Sequence, residues 1–287
     1  MFPHFLGIGV QKSGTTWLHH NLKPHPDIWM SPVKEIRYFD MRRKKPSFFK
    51  FDKQLRRKRV REAYRDIRKR TNVGWWVRYL FFPCNDKWYA SLFTPNQGQI
   101  AGDITPALAY YDRDTVARIH ALMPNAKTIV LLRNPIDRAW SHFNMHMRYN
   151  NFPQKKHLDN ATIHEFMHRG EVHKRADYAR LLDNWYAFYP PEQVFVGFYE
   201  HLITDPAQLI LDVYRFLGVD SSPDRVPEAV SKNRVAAKHG TYPAIPEKWG
   251  CFLAARYHES LIDLHLRFGN DSTASWLESA RKYLQAK

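Results

Sequence analysis

Cysteine is nearly absent from this chain: two of 287 residues, Cys84 and Cys251, stand far apart and in no metal-ligating spacing. A disulfide framework is therefore excluded, and a reducing compartment suits the sequence. Long apolar runs are missing too. No window approaches eighteen uninterrupted apolar residues, which excludes a membrane-spanning helix. The first apolar segment begins within a few residues of Met1 and leaves no room for a signal peptide, so the expected location is cytoplasmic, without membrane insertion. Low-complexity linkers and internal repeats are also lacking, while 44% hydrophobic and 15% aromatic residues fit a packed core. Histidine is plentiful at fifteen, yet His19/His20 and His142/His146 come with no HExxH motif and no Cys/His cluster, so no metal is expected.

Acidic charge is the remaining scarcity. The chain carries a net +16, and residues 42–70 hold most of it: fifteen Lys/Arg against three acids (Asp52, Glu62, Asp66), a local balance of +12. Leu55, Val60, Tyr64 and Ile67 fall near helical spacing, which predicts a surface helix with a charged outer face over this basic segment. Such a run is a solvated face, a membrane-surface helix or a capture surface for a polyanion, and the absence of a clean aromatic or leucine face speaks against the membrane.

What is present is organised around the first twenty residues. Residues 5–10 read as a buried strand, Ser13-Gly14 as a turn, and Thr15 onward as a helix start. A strand, a tight loop and a helix N-terminus present unpaired N–H groups and the positive end of a dipole to one spot, which suits an anion. Gly9 and Gly14 have the spacing of a Walker A loop, but Thr15 stands where its lysine belongs, and the lysine lies inside the loop as Lys12. Residues 127–132 form a second apolar strand, followed by Arg133 and the helix-start signature Asn134-Pro135, with Ser141 two turns on. Ligands of open α/β sheets bind at the carboxyl ends of strands. Two anion-competent ends predict a ligand with two separated phosphates.

Further strands are expected at 28–30, 99–103 and 194–198, and helices at 115–123, 177–189 and 208–217, the last stopped by Gly218. Trp75 to Leu92 is aromatic-rich and reads as a wall beside the cleft. Strands separated by helices imply an α/β domain with a mostly parallel central sheet, and one domain over 1–287 with the basic stretch 42–71 as a helical insertion.

The segments Q-K-S-G-T-T-W-L (11–18) and L-R-N-P-I-D-R-A-W-S-H-F (132–143) together resemble the two nucleotide-binding motifs of sulfotransferases that use 3′-phosphoadenosine 5′-phosphosulfate (PAPS). Residues 34–40, K-E-I-R-Y-F-D, resemble the stretch that carries the catalytic glutamate in the heparan sulfate branch, and 178–219 resemble that branch's Y-x-x-x-L-x-x-W…F-L-G run. Gly102 to Ala107 is similar to its E-K-T-P-A segment, except that Ile104 replaces the lysine. The resemblance implies a P-loop-like fold with PAPS as donor and no metal. It implies that Gln11, Lys12, Ser13, Gly14, Thr15, Thr16 and Trp17 form the 5′-phosphosulfate loop, that Arg133 and Ser141 take the 3′-phosphate, and that a late loop with Lys238 and Gly240 closes over the nucleotide. Animal relatives carry an N-terminal anchor, so this chain resembles a soluble bacterial-type member or one shorn of its anchor.

Sulfuryl transfer needs charge stabilisation at the leaving phosphate, for which Lys12 is placed, and a base for the acceptor. Glu35 is the candidate base and Asp103, which also ends a strand, its competitor; Arg138 reads as one partner of a buried ion pair. The basic segment beside Lys34-Glu35 predicts an anionic polysaccharide or oligosaccharide as acceptor. Two rivals stand beside this reading: a P-loop kinase or NTPase, opposed by Thr15, and a nucleic-acid-binding protein, which leaves both loops unexplained.

Overall fold

Runs of apolar residues at five places form strands: β1 (Phe5–Gly9), β2 (Ile28–Met30), β3 (Ile100–Ile104), β4 (Lys127–Leu132) and β5 (Val194–Phe198). The computed structural model describes residues 1–43, 53–150, 159–231 and 243–285. The strands pair in parallel, in the order β2-β3-β1-β4-β5. Strand β1 is central, and the chain fills one side of it before crossing to the other. Its carboxyl end, between those of β3 and β4, is thus the crevice in which such sheets bind ligands.

In chain order the helices are α1 (Thr15–Leu22), α2 (Tyr38–Arg43), α3 (Lys53–Arg68), α4 (Val73–Phe81), α5 (Asp86–Ser91), α6 (Arg113–Leu122), α7 (Pro135–Tyr149) and α8 (Asn160–Met167). They continue with α9 (Gly170–Lys174), α10 (Tyr178–Tyr186), α11 (Tyr199–Thr204), α12 (Pro206–Leu217), α13 (Glu228–Ser231), α14 (Glu247–Phe268) and α15 (Asp271–Gln285). Successive strand residues point to opposite faces, so both faces of the sheet are apolar and both are covered. Leu6, Ile8, Val130 and Leu132 join the larger core, beneath α6, α7, α10, α14 and α15. Phe5, Ile129 and Leu131 join the smaller one, beneath Leu18 and Leu22 of α1 and Ile210 and Val213 of α12. The result is one α/β domain with a fully parallel sheet. Among the described residues no helix is long and apolar enough to cross a membrane.

The strands fall within a residue or two of their sequence expectations. Two expectations need correction. Trp75, Trp76, Tyr79, Trp88 and Tyr89 are buried in the larger core with Tyr38 and Phe39, so these five rings are interior rather than a cleft wall. The indoles of Trp75 and Trp88 find backbone acceptors at 2.8 Å, on Leu92 and Arg78, which is what allows such rings to be buried. The second correction is α3, whose inner face is polar: Arg59 and Asp66 are buried, whereas Val60, Tyr64 and Ile67 are exposed. Its outer surface is therefore partly apolar, not purely charged. Internal bonds make this inversion tolerable, because buried polar groups cost little when paired. Asp66 accepts from Trp76 Nε1 at 3.1 Å and Asn72 Nδ2 at 3.3 Å.

Candidate active site

From Gly9 the chain turns through residues 10–14 before α1 begins. Val10 N donates to Leu131 O at 2.9 Å, which pins the loop to β4, and Ser13 N closes onto Val10 O at 3.2 Å. Lys12 (φ 78°) and Gly14 (φ 94°) are both left-handed. At position 14 the left-handed backbone favours glycine, and a Cβ there would stand 2.5 Å from Leu202 Cδ1 and force that side chain to shift. For a lysine the same conformation costs on the order of 1–3 kcal/mol, a strain typical of ligand-gripping loops. The Ser13 hydroxyl and the Trp17 indole N–H are buried with no hydrogen-bond partner among the described residues. Buried donors left in this state beside a helix N-terminus fit an anionic ligand, and so fit the phosphosulfate.

Beyond the loop lies Lys34, whose ammonium donates to Thr15 Oγ1 at 3.3 Å, Thr16 Oγ1 at 3.1 Å and Glu35 Oε1 at 3.4 Å. Arg37 Nε meets the other Glu35 oxygen at 3.3 Å. The segment is held open in left-handed backbone at Glu35 (φ 64°) and Arg37 (φ 61°). Three ties keep it there: Glu35 N donates to Ile104 O at 3.1 Å, and Arg59 Nη2 donates to the carbonyls of Lys34 at 2.6 Å and Glu35 at 2.9 Å.

On the far side of the loop Arg133 Nη1 donates to Lys12 O at 3.1 Å, and its guanidinium lies 4.3 Å from the centre of the Tyr199 ring. Tyr178 Oη donates to Arg133 O at 2.8 Å. Asn134 caps α7 as its sequence signature predicts, Oδ1 accepting from Ile136 N at 3.0 Å. Ser141 is half-buried on α7. Arg138 is fully buried but donates to Val172 O at 2.8 Å, not to a buried acid as expected. Lys238 and Gly240 lie outside the described residues.

The site is strongly cationic. Burial first, then Arg148, Arg133 and Lys34, push Lys12 down to about 8. Burial also lowers Lys34, against the pull of Glu35. For Glu35 burial acts upward, but Lys34 and Arg37 outweigh it and hold the carboxyl below its ordinary value. It is thus ionised at neutral pH, as a base must be. Asp103 differs: burial raises it to about 6, and Tyr89 Oη and Thr105 Oγ1 each donate to it at 3.0 Å. It is only 3% exposed, and a hydrogen bond with the Ile36 backbone ties it to the Glu35 segment from within.

Several groups of this site carry no sequence signal. Arg175 donates to Gln11 Oε1, lies 3.0 Å from His142 Nε2 and packs over the Tyr110 ring. Tyr110 Oη in turn accepts from Gln11 N at 2.9 Å. Burial, with Arg175 next, drives His142 down to about 2, so this imidazole is neutral. Among the described residues no group of three or more His, Cys, Asp or Glu side chains converges as a metal site.

Known proteins resemble this chain in sequence and in fold. Residues 2–244 match the sulfotransferase domain family. The chain is 25% identical over 313 residues to a bifunctional heparan sulfate N-deacetylase/N-sulfotransferase of Drosophila melanogaster, covering 96% of this chain and 27% of the relative. It is 28% identical over 229 residues to human heparan sulfate glucosamine 3-O-sulfotransferase 6, covering 76% of this chain and 53% of the relative. The chain thus spans between about a quarter and a half of the length of these relatives. The crystal structure of a sulfotransferase from Alicyclobacillus acidocaldarius superposes over 96% of this chain and 99% of that one, with a TM-score of 0.64 at 23% identity.

Proposed function

The chain belongs to the sulfotransferase domain family, and from that membership we propose that it transfers the sulfuryl group of PAPS to a hydroxyl or amine of an anionic carbohydrate. The observation that carries this reading is the meeting, at one sheet edge, of the Lys12 loop, the Lys34–Glu35 pair and Arg133, linked by direct bonds. Such an edge can grip two phosphates from opposite sides and offers one carboxylate to an acceptor.

In this scheme the backbone N–H groups and hydroxyls from Ser13 to Thr16 hold the 5′-phosphate, with Gln11 and Trp17 flanking it. Arg133 and Ser141 hold the 3′-phosphate, Arg133 as a fork-shaped donor. PAPS supplies an activated sulfuryl group whose bond to the 5′-phosphate breaks in transfer. Glu35 takes the acceptor proton as the new bond to sulfur forms. Lys12 meets the charge that grows on the departing phosphate oxygen, and Lys34 keeps the two threonine hydroxyls and Glu35 aligned. The anionic acceptor rests on charge: Arg37 borders Glu35, and the exposed Lys58 of α3 is near enough to depress Lys34. A cationic rim raises the local concentration of a polyanion and speeds its capture. The heparan sulfate enzymes among the relatives support the same class.

The test is a transfer screen with one labelled donor across acidic oligosaccharides, neutral sugars, phenols and lipids, each with and without EDTA. Sulfation of an acidic oligosaccharide in EDTA is the expected result. Stabilisation by ATP–Mg but not by 3′-phosphoadenosine 5′-phosphate, with no transfer to any class, would overturn the reading.

A further inference from the structure

Eleven large hydrophobic side chains are exposed among the described residues, and seven of them fall between residues 60 and 82. Val60, Tyr64 and Ile67 lie on α3, Val73, Val77 and Phe81 on α4, and Phe82 follows directly. Spacings of four and three, then four and four, place each set in one stripe of its helix. The two helices form an antiparallel hairpin, closed at the turn by Thr71 N on Asp66 O at 2.8 Å and clamped by the Asp66–Trp76 bond. Their buried faces meet each other and the core, so both stripes lie on the outside.

Charge surrounds the stripe on α3. Arg57, Arg61 and Arg68 form the adjoining row, and Lys69 and Arg70 follow at the turn, all exposed. The only acids from 57 to 82 are Glu62 and Asp66, which bond inward to Arg59 and to Trp76. The same two acids also pair with Lys58 at 3.8 Å and Arg65 at 3.3 Å, so the exposed charge of this surface is predominantly positive.

We propose that the α3–α4 hairpin docks on an anionic lipid bilayer, with Tyr64, Phe81 and their neighbours immersed at the interface and the arginine row on lipid phosphates. A soluble polyanion would satisfy the arginines but gives the apolar stripe nothing. A second copy meeting the same face would bring arginine row against arginine row, which like-charge repulsion disfavours. A lipid surface satisfies both halves: amphipathic helices with basic flanks lie in this layer, and aromatic rings settle at headgroup level. Neither α3 nor α4 is long and apolar enough to cross the bilayer, so the proposed contact of this hairpin is an interfacial one.

The experiment is co-sedimentation of the whole chain with phosphatidylcholine vesicles, with and without phosphatidylglycerol. Two variants accompany it: Tyr64→Ser/Phe81→Ser for the stripe and Arg57→Gln/Arg61→Gln/Arg68→Gln for the row. All these side chains are exposed and outside the candidate active site. An unchanged melting shift with 3′-phosphoadenosine 5′-phosphate certifies each fold. Binding only to the phosphatidylglycerol vesicles is expected, weakened about a hundredfold in the arginine variant and at least about tenfold in the stripe variant. Equal binding to both vesicle types, or none to either, overturns the proposal. Unchanged binding by the stripe variant overturns it in favour of a soluble polyanion. A dimer in sedimentation velocity that the stripe variant dissolves overturns it in favour of a second copy.

Discussion

Arg59 holds the backbone carbonyl of Glu35 at 2.9 Å from inside the protein, its own side chain only 2% exposed. The same nitrogen takes Lys34 O at 2.6 Å, and Nη1 meets Glu62 Oε2 at 2.8 Å. A residue from the most basic helix thus fixes the left-handed backbone that presents the candidate base. Arg59→Lys keeps the charge and loses the fork. We expect kcat to fall by at least about tenfold, with acceptor KM and nucleotide affinity near native, because the loss is in alignment. Native kcat in a folded Arg59→Lys protein would show that the tie is structural only.

Lys12→Ala should lower turnover by about 10²–10³ with the fold retained, the usual cost of losing one stabiliser of developing charge. Its depressed value near 8 adds a pH signature. Below that value Lys12 is charged and can grip an anion; as pH rises through it the charge is lost. Affinity for 3′-phosphoadenosine 5′-phosphate should accordingly decline from pH 7 to 9 by calorimetry. Lys12→Arg, which stays charged, should flatten the curve; an equally steep decline would assign it to another group.

Glu35→Gln should reduce transfer by about 10²–10⁴ while donor affinity stays near native, since a base acts on the acceptor. Asp103→Asn makes the opposite forecast: lower melting temperature and substantial residual turnover, because this carboxylate braces the segment from within. An inactive, fully stable Asp103→Asn protein beside an active Glu35→Gln would reverse the two roles.

Burial first, then Lys34, His20 and Lys23, drive His19 down to about 3, and burial with Arg175 drives His142 to about 2. Their unfolded value is 6.5. Below it the unfolded chain binds protons that the folded protein refuses, so stability falls as pH falls. Each histidine contributes up to about 1.4 kcal/mol per pH unit in that window. Urea midpoints at pH 7, 6 and 5 should therefore drop, and less steeply in His19→Gln. An unchanged slope would mean that His19 is already protonated when folded.

The sheet and the anion loop were legible because local patterns encode them: apolar runs broken by glycine and proline, and a loop whose glycine spacing has a steric cause. The partners of the loop were not. Arg175 reaches Gln11 across 164 residues, and Arg59 reaches Glu35 across 24 from a helix whose polar residues face inward. Period alone locates a helix but does not say which face is buried, and on α3 hydrogen bonding decided it against hydropathy. Tyr89, Tyr110 and Tyr178 read as generic aromatics until the fold brings their hydroxyls to Asp103, Gln11 N and Arg133 O. Helices α14 and α15 gave little warning, since they lie after Ser231, where motif resemblance is weakest.

The central position of β1 has a consequence for synthesis. Phe5 pairs in register with Gly102 on one side and Lys127 on the other, and the loop is pinned only when Leu131 arrives to accept from Val10. Strand β1 is thus made before either of its permanent neighbours, and the second of them, β4, follows more than 120 residues after it. Closing contacts over that span is entropically slow, and an apolar strand left open invites wrong pairings. Ribosome-bound chains that stop short of β4 should therefore engage holding chaperones through residues 5–10. The grip on nucleotide would then emerge abruptly, late in elongation, as the fourth strand closes on the first.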